Sequence, residues 1–207
     1  MMKHRFAITA VLPCIMCGGC GLLTSDEPPV EVIWLRSPSV ELEQDTIPQG
    51  SLKVSLQAVP GLDTDTVLIL DEDARMRRHA SLRWQEHLPE LFETLVSHAL
   101  ESTRLYEQVM TERALESANR TLMLELREFY IVTSDSSDPV VHIQLAGQLY
   151  CEDDKHSIKA GSNQTVTGDG DIAQAFQRAV NETLQELARN VQPSEQHCRA
   201  AANEQDE

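Results

Sequence analysis

The chain has 207 residues, of which 17 are Lys or Arg and 33 are Asp or Glu, so its formal net charge at pH 7 is −16. This acidity excludes binding to nucleic acid or to an anionic membrane through surface charge alone, because the protein would repel the phosphate groups. With 41% hydrophobic and 24% charged residues, the composition is typical of one globular domain with short tails.

The N-terminal segment has the pattern of a bacterial export signal. Basic residues precede an apolar run at 6–16, which is shorter than the roughly 20 residues that a membrane-spanning helix needs. The letters CGGC follow directly, and Cys20 with its small preceding residues is similar to the acylated cysteine of bacterial lipoproteins. We therefore predict a signal peptide over residues 1–19 and attachment of diacylglycerol and palmitate to Cys20. The alternative is an ordinary secretory signal with a chance cysteine.

Residues 20–29 predict an acylated tether, because they lack hydrophobic periodicity and end in two prolines. Nine residues, 21–29, span at most about 30 Å, so the domain would lie close to its membrane. Gly21 follows the acylated cysteine, a position where Asp would retain a bacterial lipoprotein in the inner membrane. We expect a lipid-anchored protein on the periplasmic face of the outer membrane.

Residues 30–192 alternate strand patterns with two helical patterns. Strand patterns occupy 30–36, 52–59, the hairpin arms 67–70 and 76–84, then 122–132, 141–151 and 157–166. Helical patterns occupy 88–106 and 172–191, the second ending at Pro193. This order predicts an α+β two-layer sandwich, with two long helices on one face of a mixed or antiparallel sheet. The polar, acidic residues 193–207 predict a disordered tail.

The order of features over residues 54–100 resembles a known family. A strand ends near Pro60, the letters LDT follow at 62–64, and then come a hairpin, the Arg83-Trp84 pair and a long amphipathic helix. Together with the closing helix and the lipoprotein signal, this order resembles the PqiC-like ABC-type transport auxiliary lipoproteins of MCE-type lipid transport systems. The resemblance covers most of the mature chain. It implies a non-catalytic domain without a cofactor that docks an MCE-domain membrane protein and helps to maintain membrane integrity, and a homo-oligomer would match a ring-shaped partner.

The chain shows no catalytic motif, since its histidines are scattered and neither HExxH nor GxSxG occurs. The acidic turn at 152–154 with His156 lacks the residue order of a calcium loop, and we interpret it as a solvated hairpin turn. We therefore predict neither an enzyme nor a metal site. The alternative function is an envelope-assembly or cell-wall-synthase-activating lipoprotein, although nine residues are too short a linker to cross the cell wall.

Two tryptophans and three arginines are candidates for partner binding. Trp is common at interface hot spots, although a Trp that ends a strand, as Trp34 and Trp84 do, is more commonly part of a core. The basic residues Arg77, Arg78 and Arg83 are concentrated on one predicted strand of an acidic protein. We predict that they form, with Trp84, a surface for an acidic partner. The alternative is internal pairing of the arginines with neighbouring carboxylates.

The predicted mature domain contains two further cysteines, Cys151 and Cys198. Counting by twos from Val141 places Cys151 on the apolar face of its strand, and the tail could fold back to bring Cys198 near it. A disulfide would close a loop of 47 residues and stabilise the fold by about 4 kcal/mol in the chain-entropy model. Free thiols and an intermolecular link through Cys198 are the alternatives that the sequence leaves open.

Overall fold

The computed structural model describes residues 29–42, 47–48, 50–151, 154–167 and 171–205. The predicted signal peptide, Cys20 and most of the tether lie outside these residues. In chain order the elements are β1 (Glu31–Ile33), β2 (Ser51–Ala58), β3 (Thr66–Leu70), β4 (Met76–Trp84), α1 (Leu88–Ser102), β5 (Gln108–Thr111), β6 (Arg120–Ser134), β7 (Ser137–Cys151), β8 (Asp154–Thr165) and α2 (Ile172–Gln205). Neither α1 nor α2 combines the length and apolar character required to cross a bilayer.

The eight strands form one mixed sheet built on the long β6–β7 hairpin. On one side, β8 pairs antiparallel with β7. On the other side, β2 pairs with the first half of β6 and β3 with its second half, both in parallel. The β2 branch continues into β5, and the β3 branch continues through β4 to β1. Two strands therefore follow one another along the same edge of β6, and the sheet divides there into two branches.

The core lies between the sheet and the two helices. Alternation along β2 buries Leu52, Val54 and Leu56, as the period-two pattern predicts. Helix α1 packs on β2 and β5, and α2 packs on β7 and β8. Four aromatic rings meet at the centre with centroids 4.7–4.9 Å apart: Trp84, Phe92, Phe129 and Phe176.

The predicted α+β class and mixed sheet are confirmed, but the sheet is a curled half-barrel and not a flat two-layer sandwich. Curvature has a local cause in β6 and β7. The register shifts between Leu126 and Glu128, and an irregularity of this kind increases strand twist. At Gly147 the neighbouring backbone is so close that a Cβ atom would overlap the carbonyl oxygen of Met123. Neither feature is visible in a hydrophobic pattern.

The prediction that the last helix ends at Pro193 and is followed by a disordered tail is wrong. Helix α2 continues through Pro193 to Gln205. Proline removes one helical hydrogen bond and costs about 3 kcal/mol, but the residues beyond it are anchored. The carboxylate of Glu195 lies between the guanidinium groups of Arg120 and Arg199, and Cys198 is buried against β7. These tertiary contacts outweigh the cost of the proline.

Candidate docking surface

The two tryptophans have opposite environments. Trp84 is only 3% exposed, and its ring contacts Phe129 and Phe176 in the core. The prediction that Trp84 contributes to a docking surface is therefore wrong. Trp34 is 72% exposed, although a tryptophan at the end of a strand is more commonly buried.

Trp34 belongs to an exposed apolar stripe at the sheet edge. Val30, Val32 and Trp34 alternate along the chain with the buried Ile33 and Leu35, so all three lie on the outward face. We call these three residues the β1 stripe. Within the described residues β1 pairs only with β4, which leaves the second edge of β1 without a strand. Such an edge can accept a further strand from a partner.

Two glutamines hold the backbone next to Trp34 in place. The amide of Leu35 donates to Oε1 of Gln85 at 2.8 Å, and Nε2 of Gln85 donates to the Leu35 carbonyl at 3.1 Å. Gln177 of α2 makes the same paired contact with Arg36, at 2.9 and 2.8 Å. Because four hydrogen bonds fix the chain immediately after Trp34, the base of the stripe is ordered before any partner binds.

The three predicted arginines do not lie together. Arg83 is the register partner of Val32 in the parallel β1–β4 pair, so it lies beside the β1 stripe. Its guanidinium donates to the carbonyls of His79 and Leu82 in the irregular part of β4. Arg77 and Arg78 lie at the opposite end of β4, where Nε of Arg77 is 3.5 Å from a carboxylate oxygen of Asp71. The alternative of internal pairing thus describes Arg77.

A histidine near the start of α1 adds a titratable group close to this region. Nδ1 of His87 lies 3.1 Å from Oδ1 of Asp63, and this hydrogen bond raises the pKa of the imidazole. Both side chains are largely exposed, so the pair contributes little to stability. Its effect is local: it fixes the His87 ring at the residue preceding α1.

A groove of about 470 Å³ lies on the solvent face of the sheet, above Gly147. Its walls include the apolar side chains of Met123 and Tyr150 and the charged groups of Arg127 and Lys159. The groove is open to solvent, so it is a surface feature rather than an enclosed cavity.

The structure joins Cys151 at the end of β7 to Cys198 in α2 through a disulfide, with their Cα atoms 5.8 Å apart. Both cysteines are buried. Sequence periodicity places Cys151 on the inner face. It gives no sign that α2 would extend far enough to present Cys198, because Pro193 signals a helix end.

Two residues of the β1 stripe were not identified as exposed from the sequence. Val30 and Val32 read as an ordinary first strand, and only their phase relative to Ile33 and Leu35 shows that they face outward. That phase was available in the letters VEVIWLR, but a pattern with apolar residues at both phases does not say which side meets the core.

No family model matches the sequence, and no curated protein matches it. Solved structures do match. A protein of Xanthomonas campestris described as a DUF330 protein is 15% identical with a TM-score of 0.65, over 81% of this chain and 99% of that chain. A second solved structure, of a protein described as uncharacterized, is 15% identical with a TM-score of 0.50, over 84% of this chain and 98% of that chain. At this identity the matches show a shared fold.

Proposed function

We propose that the protein is a non-catalytic auxiliary lipoprotein, anchored in the outer membrane through acylated Cys20, whose periplasmic domain docks an MCE-domain protein of an ABC-type lipid transport system. Two independent lines support the proposal. The order of sequence features over residues 54–100 resembles this class of lipoprotein. The fold is shared with a protein described as a DUF330 protein, the family to which PqiC-like lipoproteins belong.

The exposure of the β1 stripe is the main structural observation that supports the docking role. Three apolar side chains in a row are exposed on an edge strand whose backbone is already fixed. Trp combines a large contact area with few rotatable bonds, so its burial in an interface costs little conformational entropy. A partner that supplies a strand to β1 would gain main-chain hydrogen bonds and cover Trp34 at the same time.

The position of the stripe along the chain indicates which part of the partner it meets. Val30 is separated from Cys20 by the nine residues 21–29, which span at most about 30 Å. If Cys20 is acylated, the stripe stays near the membrane surface. The docking site on the MCE protein is then the segment that approaches the outer membrane, and not its distant end.

Trp34→Ala tests the docking role. We expect at least a tenfold fall in the amount of MCE protein recovered with the lipoprotein after crosslinking of envelope membranes, because removal of a hot-spot Trp costs about 2 kcal/mol or more. Leu115→Ala is the matched control, since Leu115 is a fully exposed apolar residue outside the β3 branch. Mass spectrometry of the recovered proteins provides the measurement.

Two outcomes contradict the proposal. Equal recovery with Trp34→Ala and Leu115→Ala would show that the β1 stripe is not the docking surface. Recovery of a cell-wall synthase instead of an MCE protein, lost on Trp34→Ala, would favour the alternative function. Charge reversal of Arg77 and Arg78 to Glu in the same experiment tests the predicted acidic partner surface separately from the stripe.

A further inference from the structure

His156 lies next to the disulfide between Cys151 and Cys198. His156 lies on β8 opposite Leu149, two residues beyond Asp154, the register partner of Cys151. One ring nitrogen of His156 and the sulfur atoms of Cys151 and Cys198 all lie within 4.8 Å of one another. The paired strands β7 and β8 and helix α2 therefore bring two sulfur atoms and one imidazole nitrogen to one point.

One ring nitrogen of His156 makes no hydrogen bond to the described residues. This nitrogen, Nε2, is buried. Buried polar atoms are nearly always paired, because an unpaired one loses its bonds to water without replacement. The nearby disulfide sulfurs are weak acceptors and form no hydrogen bond with it. Thiolates and a neutral imidazole nitrogen, in contrast, are the donors that Zn²⁺ prefers.

We propose that Cys151, His156 and Cys198 form a binding site for one zinc-class divalent cation when the disulfide is reduced. A dithiol reductant supplies two electrons and two protons: the S–S bond breaks, two thiols form, and the reductant becomes a disulfide. The cation then replaces the two thiol protons, which pass to solvent. Because the same sulfur atoms form either the disulfide or the metal bonds, the two states exclude each other.

The geometry permits the exchange without a change of fold. Zinc bonds are about 2.3 Å to sulfur and about 2.0–2.1 Å to nitrogen, so three ligand atoms around one ion lie within roughly 4 Å of one another. On reduction the two sulfurs must separate from the roughly 2.0 Å of a disulfide bond to about 3.8 Å, and the His156 nitrogen must approach them from its position within 4.8 Å. A Cα separation of 5.8 Å suits both a disulfide and two sulfurs on one metal.

A second histidine nearby provides a matched control. The ring centroid of His197 lies 5.8 Å from that of His156. His197 does not belong to the group of ligand atoms within 4.8 Å, and its Nδ1 is bonded to the Pro193 carbonyl at 2.7 Å. We assign the fourth position on the metal to solvent and not to His197. Variants of the two histidines should therefore differ.

The test uses Co²⁺ as a spectroscopic probe for the zinc site. The full chain with Cys14, Cys17 and Cys20 replaced by Ser keeps only the two cysteines of the cluster, out of five. In detergent and after reduction, we expect thiolate-to-cobalt charge-transfer bands and tetrahedral ligand-field bands that saturate at one Co²⁺ per chain. Zn²⁺ should displace Co²⁺ and raise the Tm of the reduced protein. The oxidised protein should show neither effect.

Variants assign the ligands. His156→Ala should weaken Co²⁺ binding at least tenfold, and Cys198→Ser should remove most of the charge-transfer intensity, whereas His197→Ala should bind as the parent does. His156→Asn, which keeps a polar side chain of similar size, replaces His156→Ala if that variant fails to fold. The proposal is overturned if the reduced parent gives no charge-transfer band, or if the His156 variant binds Co²⁺ as tightly as the parent.

Discussion

One buried carboxylate holds the C-terminal part of α2 against the sheet. Glu195 is 2% exposed, and its oxygens lie 3.5 Å from Nε of Arg120 and 3.1 Å from Nε of Arg199. Arg199 also donates to the carbonyl of Leu105. Close by, burial raises the pKa of Tyr106 well above its usual value, and the negative charge of Glu195 adds to this effect. Tyr106 therefore stays neutral beside the ion pairs.

Glu195→Ala should destabilise the protein by about 3–5 kcal/mol, because it leaves two arginines in a buried site without their counter-charge. Urea unfolding followed by circular dichroism measures the change. Asp73→Ala is the matched control: the Asp73–Arg75 pair is 3.7 Å apart with both side chains more than 70% exposed, so its loss should cost at most about 1 kcal/mol. Similar small losses in both variants would show that Glu195 does not stabilise the extended helix.

Single residues also explain what the sequence could not predict about the surface. The tryptophans are both at strand ends, and only the three-dimensional path of β1 and β4 decides that Trp84 enters the aromatic cluster while Trp34 faces solvent. Arg83 and Arg77 are close in sequence, but six residues of extended strand separate them by about 20 Å. The prediction of one basic patch relied on closeness in sequence, which does not bring these arginines together in the structure.

At the scale of elements, the β6–β7 hairpin determines the shape of the sheet. Gly147 in β7 faces Leu124 in β6, and a Cβ atom at this position would overlap backbone rather than a movable side chain. The strands approach closely here because no side chain separates them. The close approach of β6 and β7 at Gly147 therefore occurs in the same hairpin as the register shift that we associate with the curl of the sheet.

Gly147→Ala should destabilise the protein by about 1–3 kcal/mol, since the strands must separate to admit one methyl group. The effect is opposite to the usual benefit of replacing a strand glycine. Gln144→Ala, at an exposed position of the same strand, should change stability by less than about 0.5 kcal/mol. Thermal unfolding of both variants provides the comparison, and a Gly147 variant as stable as the parent would contradict the close approach.

Elements with a strong period were predicted well and those defined by tertiary contacts were not. The alternating strand β2 and the β3–β4 hairpin occur where the pattern places them. Helix α1 begins at Leu88 as predicted but ends at Ser102, before the predicted end at residue 106. Strand β5 was missed because its four residues carry no alternation of their own and, among the described strands, pair with β2 alone. The length of α2 was missed because Glu195 and Cys198 act through partners distant in sequence.

At the scale of the whole molecule, the proposed attachment to a membrane relies on lipid bound to Cys20. A net charge of −16 repels anionic headgroups, and no helix in the described part of the chain can span a bilayer. In the proposed lipoprotein, the nine residues after Cys20 limit the distance between the domain and the membrane to about 30 Å. Anchoring at Cys20 remains a prediction, since that residue lies outside the described part.

Cys20→Ser should abolish acylation and move the protein from the membrane fraction to the soluble periplasmic fraction, because it removes the thiol that we propose carries the lipid. Incorporation of labelled palmitate and cell fractionation measure the two effects. Cys17→Ser is the matched control and should keep both the label and the membrane location. Palmitate still incorporated into Cys20→Ser would rule out Cys20 as the anchor.

The position of β6 between two branches also determines the order in which the chain can fold. Leu52 of β2 pairs with Arg120, and Ile69 of β3 pairs with Ile131. Both strands therefore pair with residues of β6 that follow them by more than 60 positions in the chain. Until β6 is synthesised, β2 lacks its long parallel neighbour, and only α1 and the short strand β5 are available to cover it. Such distant pairing slows folding and exposes the nascent chain to aggregation. The N-terminal half is therefore the segment that a chaperone would have to hold until β6 and β7 emerge.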